Sequence, residues 1–96
     1  MPRAEWNGKV LAEATSEECQ IVEGNIYFPP SAIHKEYFRN NDKNTFCPWK
    51  GHASYYDVVV EGEVNQACAW YYPIPYDKAK HIKDHVAFWQ GVKVTP

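Results

Sequence analysis

"HASYYDVVVEGEVNQACAWY", residues 52–71, holds two extended runs joined at Glu61-Gly62, and its reading settles the class of the fold. Along the first run Ala53, Tyr55, Asp57 and Val59 turn one way, and His52, Ser54, Tyr56, Val58 and Val60 the other, because strand side chains alternate. Both sets carry bulk, which predicts a central strand. The second run, 63–71, is its hairpin partner.

Working outward, Asn7-Gly8 supplies the two positive-φ positions of a type I′ turn between strands at 3–6 and 9–14. A second hairpin is expected around Gly24-Asn25, with 20–23 on one side and Ile26-Tyr27-Phe28 on the other. Pro29-Pro30 ends it by removing two ladder donors. Ser31 reads as the cap of a short helix in which Ile33 and Tyr37 share a face, and Asn40 to Asn44 as a turn or loop cluster. After the break at Pro73-Ile74-Pro75, Asp77 reads as the N-cap of a helix through Val86, with Ala79, Ile82 and Val86 on one face. A last short strand, 92–95, follows Gln90-Gly91. The sum is a mainly β chain, one small antiparallel domain over 1–96 with one or two short helices.

Composition excludes several classes. A formal net charge of -2 argues against coating extended nucleic acid, which calls for a strong basic excess, although a local basic pocket is compatible with it. Cys19, Cys47 and Cys68 are far apart with no CxxC pair, so neither a zinc knuckle nor a two-disulfide framework is written here, and the odd count fits a reducing compartment. No apolar run approaches the roughly 20 residues of a membrane helix, and the N-terminus lacks the apolar stretch of a signal peptide. The expectation is a soluble, cytoplasmic protein.

The chemistry-bearing residues gather in "TFCPWKGHASYY", residues 45–56. Cys47 is a candidate nucleophile, since a thiolate is favoured by a nearby cation and Lys50 and His52 are close in sequence. By residue type a free cysteine is more often a small buried hydrophobe, and mid-strand Cys68 more so. Lys50-Gly51 offers a point charge and an open backbone to an anion, but the GxxxxGK[ST] order of a P-loop is absent, and a plain turn shaped by Pro48 and Gly51 is an equal reading. Trp49, Tyr55, Trp70, Tyr71 and Tyr72 offer flat faces and hydroxyls suited to a planar or sugar-phosphate ligand, although most such rings also build core. His81 and His85 are four apart on the expected helix, but no HExxH and no third ligand accompany them, which favours a solvated face and no metal. Glu61 and Glu63 flank a hairpin turn, where exposed charge is normal.

The ordered elements "EWNGKVLAEAT", "NIYFPPSAI", "NTFCPWKGHASYYDVVV", "ACAWYYPIP" and "HIKDHVAFW" resemble the bacterial, fungal and plant proteins grouped as domain of unknown function 427, and they cover nearly the whole chain. The most specific part is TxCPxKGxAxY: Thr45, Cys47, Pro48, Lys50, Gly51, Ala53 and Tyr55. The resemblance implies a curved antiparallel sheet, β-tent-like or open-barrel-like, similar to folds pinned by zinc; the paired CxxC ligands of those folds are absent here, so zinc is not carried over. It also implies a set of site positions: Tyr27, Phe28 and Pro29, then Cys47, Lys50, Gly51 and Tyr55, then Ala69, Trp70, Tyr72 and Pro73. The label nucleotidyltransferase-like is attached to the family, whereas nucleotidyl transfer needs metal-binding carboxylates and no DxD or comparable pair stands near the motif.

Three functions follow as expectations. The first is a binding module for a small anionic or nucleotide-like ligand, lined by Tyr27, Lys50, Gly51, His52, Tyr55, Trp70 and Tyr72, with no cofactor. The second is a thiol-dependent or nucleotidyltransferase-like enzyme in which Cys47 and Lys50 are catalytic. The third is a protein-protein interaction domain presenting exposed aromatics.

Overall fold

Alternating side chains and a recurring X-Gly turn build the molecule. The computed structural model describes residues 1–96. Its strands are β1 (Arg3–Trp6), β2 (Lys9–Glu13), β3 (Gln20–Val22), β4 (Asn25–Tyr27), β5 (Phe38–Cys47), β6 (Gly51–Val60), β7 (Glu63–Tyr71), β8 (Val86–Phe88) and β9 (Lys93–Thr95). They form three antiparallel sheets, ordered β5-β6-β7-β8, β2-β1-β9 and β3-β4, none closed into a barrel. The pairs Asn7-Gly8, Glu23-Gly24, Glu61-Gly62 and Gln90-Gly91 all have positive φ at both residues, as a type I′ turn requires. The second hairpin therefore turns at Glu23-Gly24, one residue earlier than expected, with glycine in the second turn position and Asn25 already paired to Val22.

Strand β6 is central, as its two bulky faces predict. It lies between β5 and β7 and buries one face near each end. Val58 and Val60 join Ala4, Leu11 and Ala12 of the β1-β2 hairpin, with Phe28, Phe38 and Phe88, in the larger core. Ala53 and Tyr55, on the other face, pack with Val22 and Tyr27 of the β3-β4 hairpin and with Ala79, Ile82 and Ala87. Phe28 and Val86 exchange two backbone hydrogen bonds of 2.8 Å, which ties the β3-β4 hairpin to β8.

Both expected helices are corrected. After Pro29 the chain makes two short 3-10 turns, Pro30–Ala32 and Lys35–Tyr37, and Ile33 between them pairs with Ala12 instead of continuing a helix from Ser31. Near the C-terminus a 3-10 helix covers only Asp77–Ile82, preceded by Tyr76 with no side-chain cap. Val86 cannot extend it, because its N–H and carbonyl are committed to Phe28. Local helical spacing lost in both places to a distant backbone partner.

Residues 40–44 are also corrected: they belong to β5, the ten-residue edge strand, rather than to a loop. Their polarity is tolerated because most of β5 faces solvent. The turn-forming residues still leave a mark. Asn41 pairs with Tyr55 and Asn44 with Ser54, so Asp42 and Lys43 bulge out of the ladder. A second bulge interrupts β7, where Tyr56 pairs with Ala69 but Val58 with Asn65, and Ala67 takes φ 52. One side chain braces both: Asp57 Oδ1 accepts from Asn41 Nδ2 and from the Ala67 N–H, each at 2.8 Å. Trp89 holds the far side of the β7 bulge, donating from Nε1 to the Ala67 carbonyl at 2.7 Å.

Candidate functional site

The CPWKG motif is the hairpin loop between β5 and β6, closed by the pair Cys47 and Gly51. Gly51 sits at φ 109, and a Cβ there would lie 3.3 Å from the Ile74 carbonyl oxygen. Tyr76 N–H donates to the Lys50 carbonyl at 3.0 Å, so the loop is docked on the segment that follows Pro73. This close approach is the structural demand behind the glycine.

Docking the loop buries Lys50, which is only 6% exposed. Its Nζ forms an ion pair with Glu23, brought in by the β3-β4 turn, and lies 5.4 Å from the Trp49 and Tyr72 ring centroids. Trp49 Nε1 donates to the other Glu23 oxygen at 3.3 Å. Burial alone pulls the Lys50 ammonium down, but the hydrogen bond to the Glu23 carboxylate and that carboxylate's charge oppose it, and the group is held above its ordinary value. The Lys50 and Trp49 hydrogen bonds in turn lower Glu23. Burial raises both Tyr27 and Tyr72, so each hydroxyl stays protonated and able to donate.

Beside Lys50 opens a pocket of about 180 Å³ lined by Lys50, Tyr55, Trp70, Tyr72 and Trp89. Tyr55 hydroxyl shares a 2.9 Å hydrogen bond with Thr45 Oγ1. Trp70 donates from Nε1 to the Tyr27 hydroxyl at 3.1 Å and meets Tyr27 and Trp89 edge to face, each with centroids 6.2 Å apart. Lys43, in the β5 bulge, lies with Nζ 4.9 Å from the Tyr55 ring centroid and 5.3 Å from that of Trp89. A larger cleft of about 370 Å³, between the β3-β4 turn and β9, has no ionisable side chain in its lining.

Compared with protein families, residues 2–95 match the family described as Domain of unknown function (DUF427). The chain belongs to the DUF427 family. No curated protein matches it.

In this DUF427 chain the structure gathers most of the expected site positions and separates others. Lys50, Tyr55, Trp70 and Tyr72 line one pocket; Tyr27 stands behind Trp70, and Gly51 supports the loop. His52 is exposed on the opposite face of β6, with Nδ1 3.1 Å from Asn44 Oδ1 and its ring 5.1 Å from Phe46. Tyr71 also faces away, stacked on Tyr56 at 4.5 Å. Three members of the site have no counterpart among the expected residues: Trp89, Lys43 and Glu23. Trp89 closes the "HIKDHVAFW" element, a signal that was present in the sequence.

Metal ligation has little to work with in this DUF427 fold. No group of three His, Cys, Asp or Glu side chains is placed to hold an ion. His81 lies in the 3-10 helix and His85 beyond its end, so a spacing of four puts them on no common α-helical face. His85 Nδ1 lies 2.9 Å from the Lys83 carbonyl oxygen.

The three cysteines are free and differ in access. Cys68 is fully buried, and burial pushes its thiol up to about 11. Burial raises Cys19 as well, with Glu18 adding to the effect. Cys47 is half-buried against the smaller core. A thiol reagent on the native protein at neutral pH is therefore expected to label Cys47 first, with Cys19 and Cys68 following only on unfolding. Peptide mapping checks this, and early labelling of Cys68 would contradict the packing described.

Proposed function

We propose that this DUF427 domain binds a small anionic ligand in the aromatic pocket beside the CPWKG loop. One observation carries the reading: a nearly buried lysine borders a cavity whose other walls are four aromatic rings. Removing an ammonium from water costs several kcal/mol unless partners repay it. Glu23, half-exposed, repays it from one side, and an anion in the pocket adds a second partner from the other. The ring faces supply apolar contact and Tyr72 a protonated hydroxyl. The pocket's size and the net charge of -2 both disfavour extended nucleic acid. Three free cysteines fit the reducing cytoplasm as its compartment. No helix is long and apolar enough to cross a membrane.

The test is thermal unfolding of wild type and Lys50→Met against carboxylates, inorganic phosphate, sugar phosphates and nucleotides. Methionine keeps the stem's bulk and removes the charge. A ligand at 100 times its Kd adds about 2.7 kcal/mol, worth several degrees in a domain of this size. The expected result is a shift with one anion class that Lys50→Met abolishes. No stabilising anion, or an undiminished shift in Lys50→Met, overturns the reading.

A second reading, thiol chemistry at Cys47, is favoured by its position at the closing pair of the loop that carries Lys50. Modification of Cys47 much faster than that of a free thiol, and slowed in Lys50→Met, would support it over binding alone.

A further inference from the structure

The charge of Lys50 is already met by Glu23, whereas Lys43 makes no ion pair at all. The Lys43 ammonium nevertheless stands over Tyr55 and Trp89, two of the pocket's walls, and its place there is built. The Lys43 backbone N–H donates to Asn41 Oδ1 at 2.7 Å, and Asn41 Nδ2 donates to Asp57 Oδ1 at 2.8 Å. The bulge that carries the lysine is thus fixed by the same carboxylate that fixes the β7 bulge beneath Trp89. Two cations and one carboxylate leave a single positive charge at the pocket.

Size narrows the ligand further. A cavity of about 180 Å³ is smaller than the roughly 300–1,000 Å³ of sites for drug-sized ligands. The enclosed space suits one ring and its acid group, and the rest of a nucleotide would extend out of it into solvent.

Resting on the anion-binding reading above, we propose that the ligand is a planar single-ring monoanion, and that Lys43 is a second cation that closes on its acid group opposite Lys50. The ring lies against Trp70 and Trp89, whose edge-to-face pairing leaves ring surface facing the cavity. Lys43 then determines specificity by closing on the anion, on a long flexible stem whose exposed position lets it swing out to admit the ligand. Lys50, held by Glu23, borders the same pocket from the loop side.

Isothermal titration with benzoate, nicotinate, adenosine monophosphate and inorganic phosphate separates the possibilities, using wild type, Lys43→Gln and Glu23→Gln. Lys43 is exposed and its side chain makes no hydrogen bond, so Lys43→Gln keeps the fold, which its melting curve verifies. The expected result is one-to-one binding of a single-ring acid, weakened about tenfold or more in Lys43→Gln, as for a lost charge-assisted contact. Glu23→Gln, which removes a negative charge near the site, binds the acid at least as tightly as wild type. Preferred binding of the nucleotide or phosphate overturns the single-ring inference while leaving anion binding intact. A single-ring acid that binds Lys43→Gln as tightly as wild type overturns the role of Lys43 alone. Absence of binding by all four probes removes both the inference and the reading it rests on.

Discussion

Asp57→Ala is expected to lose about 2–4 kcal/mol of folding stability, because one carboxylate oxygen holds two separate bulges. Asp57 Oδ1 accepts from Asn41 in β5 and from the Ala67 N–H in β7. Hydrogen bonds to a charged acceptor are each worth about 1.5–3 kcal/mol, and partial exposure of the site reduces the pair to about 2–4 kcal/mol. Alanine also leaves the Ala67 N–H to find water within a bulge where Trp89 already covers the carbonyl. Asp57→Asn is the informative control. Its amide oxygen can accept both bonds, so only the charge assistance is lost and the cost falls to about 1 kcal/mol. Urea unfolding of the two variants checks this. Equal losses, or no loss in Asp57→Ala, would mean that the bulges are held by their ladders alone. The consequence for the site is direct, since Lys43 rides on one bulge and Trp89 is hydrogen-bonded to the other.

The second large effect falls on Gly51. Gly51→Ala is expected to cost about 2–4 kcal/mol, from a side chain forced into a positive-φ backbone and from its contact with the Ile74 carbonyl. Gly62→Ala carries a positive-φ cost without the contact, and so serves as its comparison. Gly62 has φ 80 but open space where its Cβ would be, so alanine there carries only the backbone cost of about 1–2 kcal/mol. Denaturant midpoints of the two variants give the difference. Gly51→Ala also lifts the loop from residues 74–76 and with it Lys50 from the pocket, so anion affinity drops, whereas Gly62→Ala leaves affinity unchanged. Two variants of equal stability would contradict the docking of the CPWKG loop.

The sequence carried the hairpins because their signals are local. A glycine in the second turn position and alternating bulk are each complete within a few residues, so β1-β2 and β6-β7 were legible at once. Its expected helices did not form, because the His34 N–H bonds the Leu11 carbonyl where Ile33 bridges Ala12, and Val86 bonds Phe28, partners that no window around them contains. Residues 40–44 show both outcomes together. Ladder pairing with β6 overrode their preference for a turn, yet the preference survives as the two-residue bulge at Asp42-Lys43.

The site divides the same way. Lys50, Tyr55, Trp70 and Tyr72 were legible as a lysine amid aromatics, since hairpin pairing brings Tyr55 opposite Trp70. Alternation sets His52 and Tyr71 on the far face, a placement that counting from Tyr55 already implied. Lys43 was hidden because its position depends on a register shift. Glu23 was hidden because only the folded β3-β4 hairpin brings it across to Lys50.

The most direct test of the anion pocket is a titration of nitrogen-labelled protein with a single-ring acid, following the indole N–H signals of the four tryptophans. Trp70 and Trp89 line the pocket, Trp49 borders its lysine, and Trp6 packs against the larger core on the other side of the sheet. Saturable movement of Trp70 and Trp89 with Trp6 unchanged, displaced to about tenfold higher acid concentration or beyond in Lys43→Gln, is the predicted result. Movement of none of them at saturating acid, or of Trp6 without Trp70 and Trp89, would contradict the account.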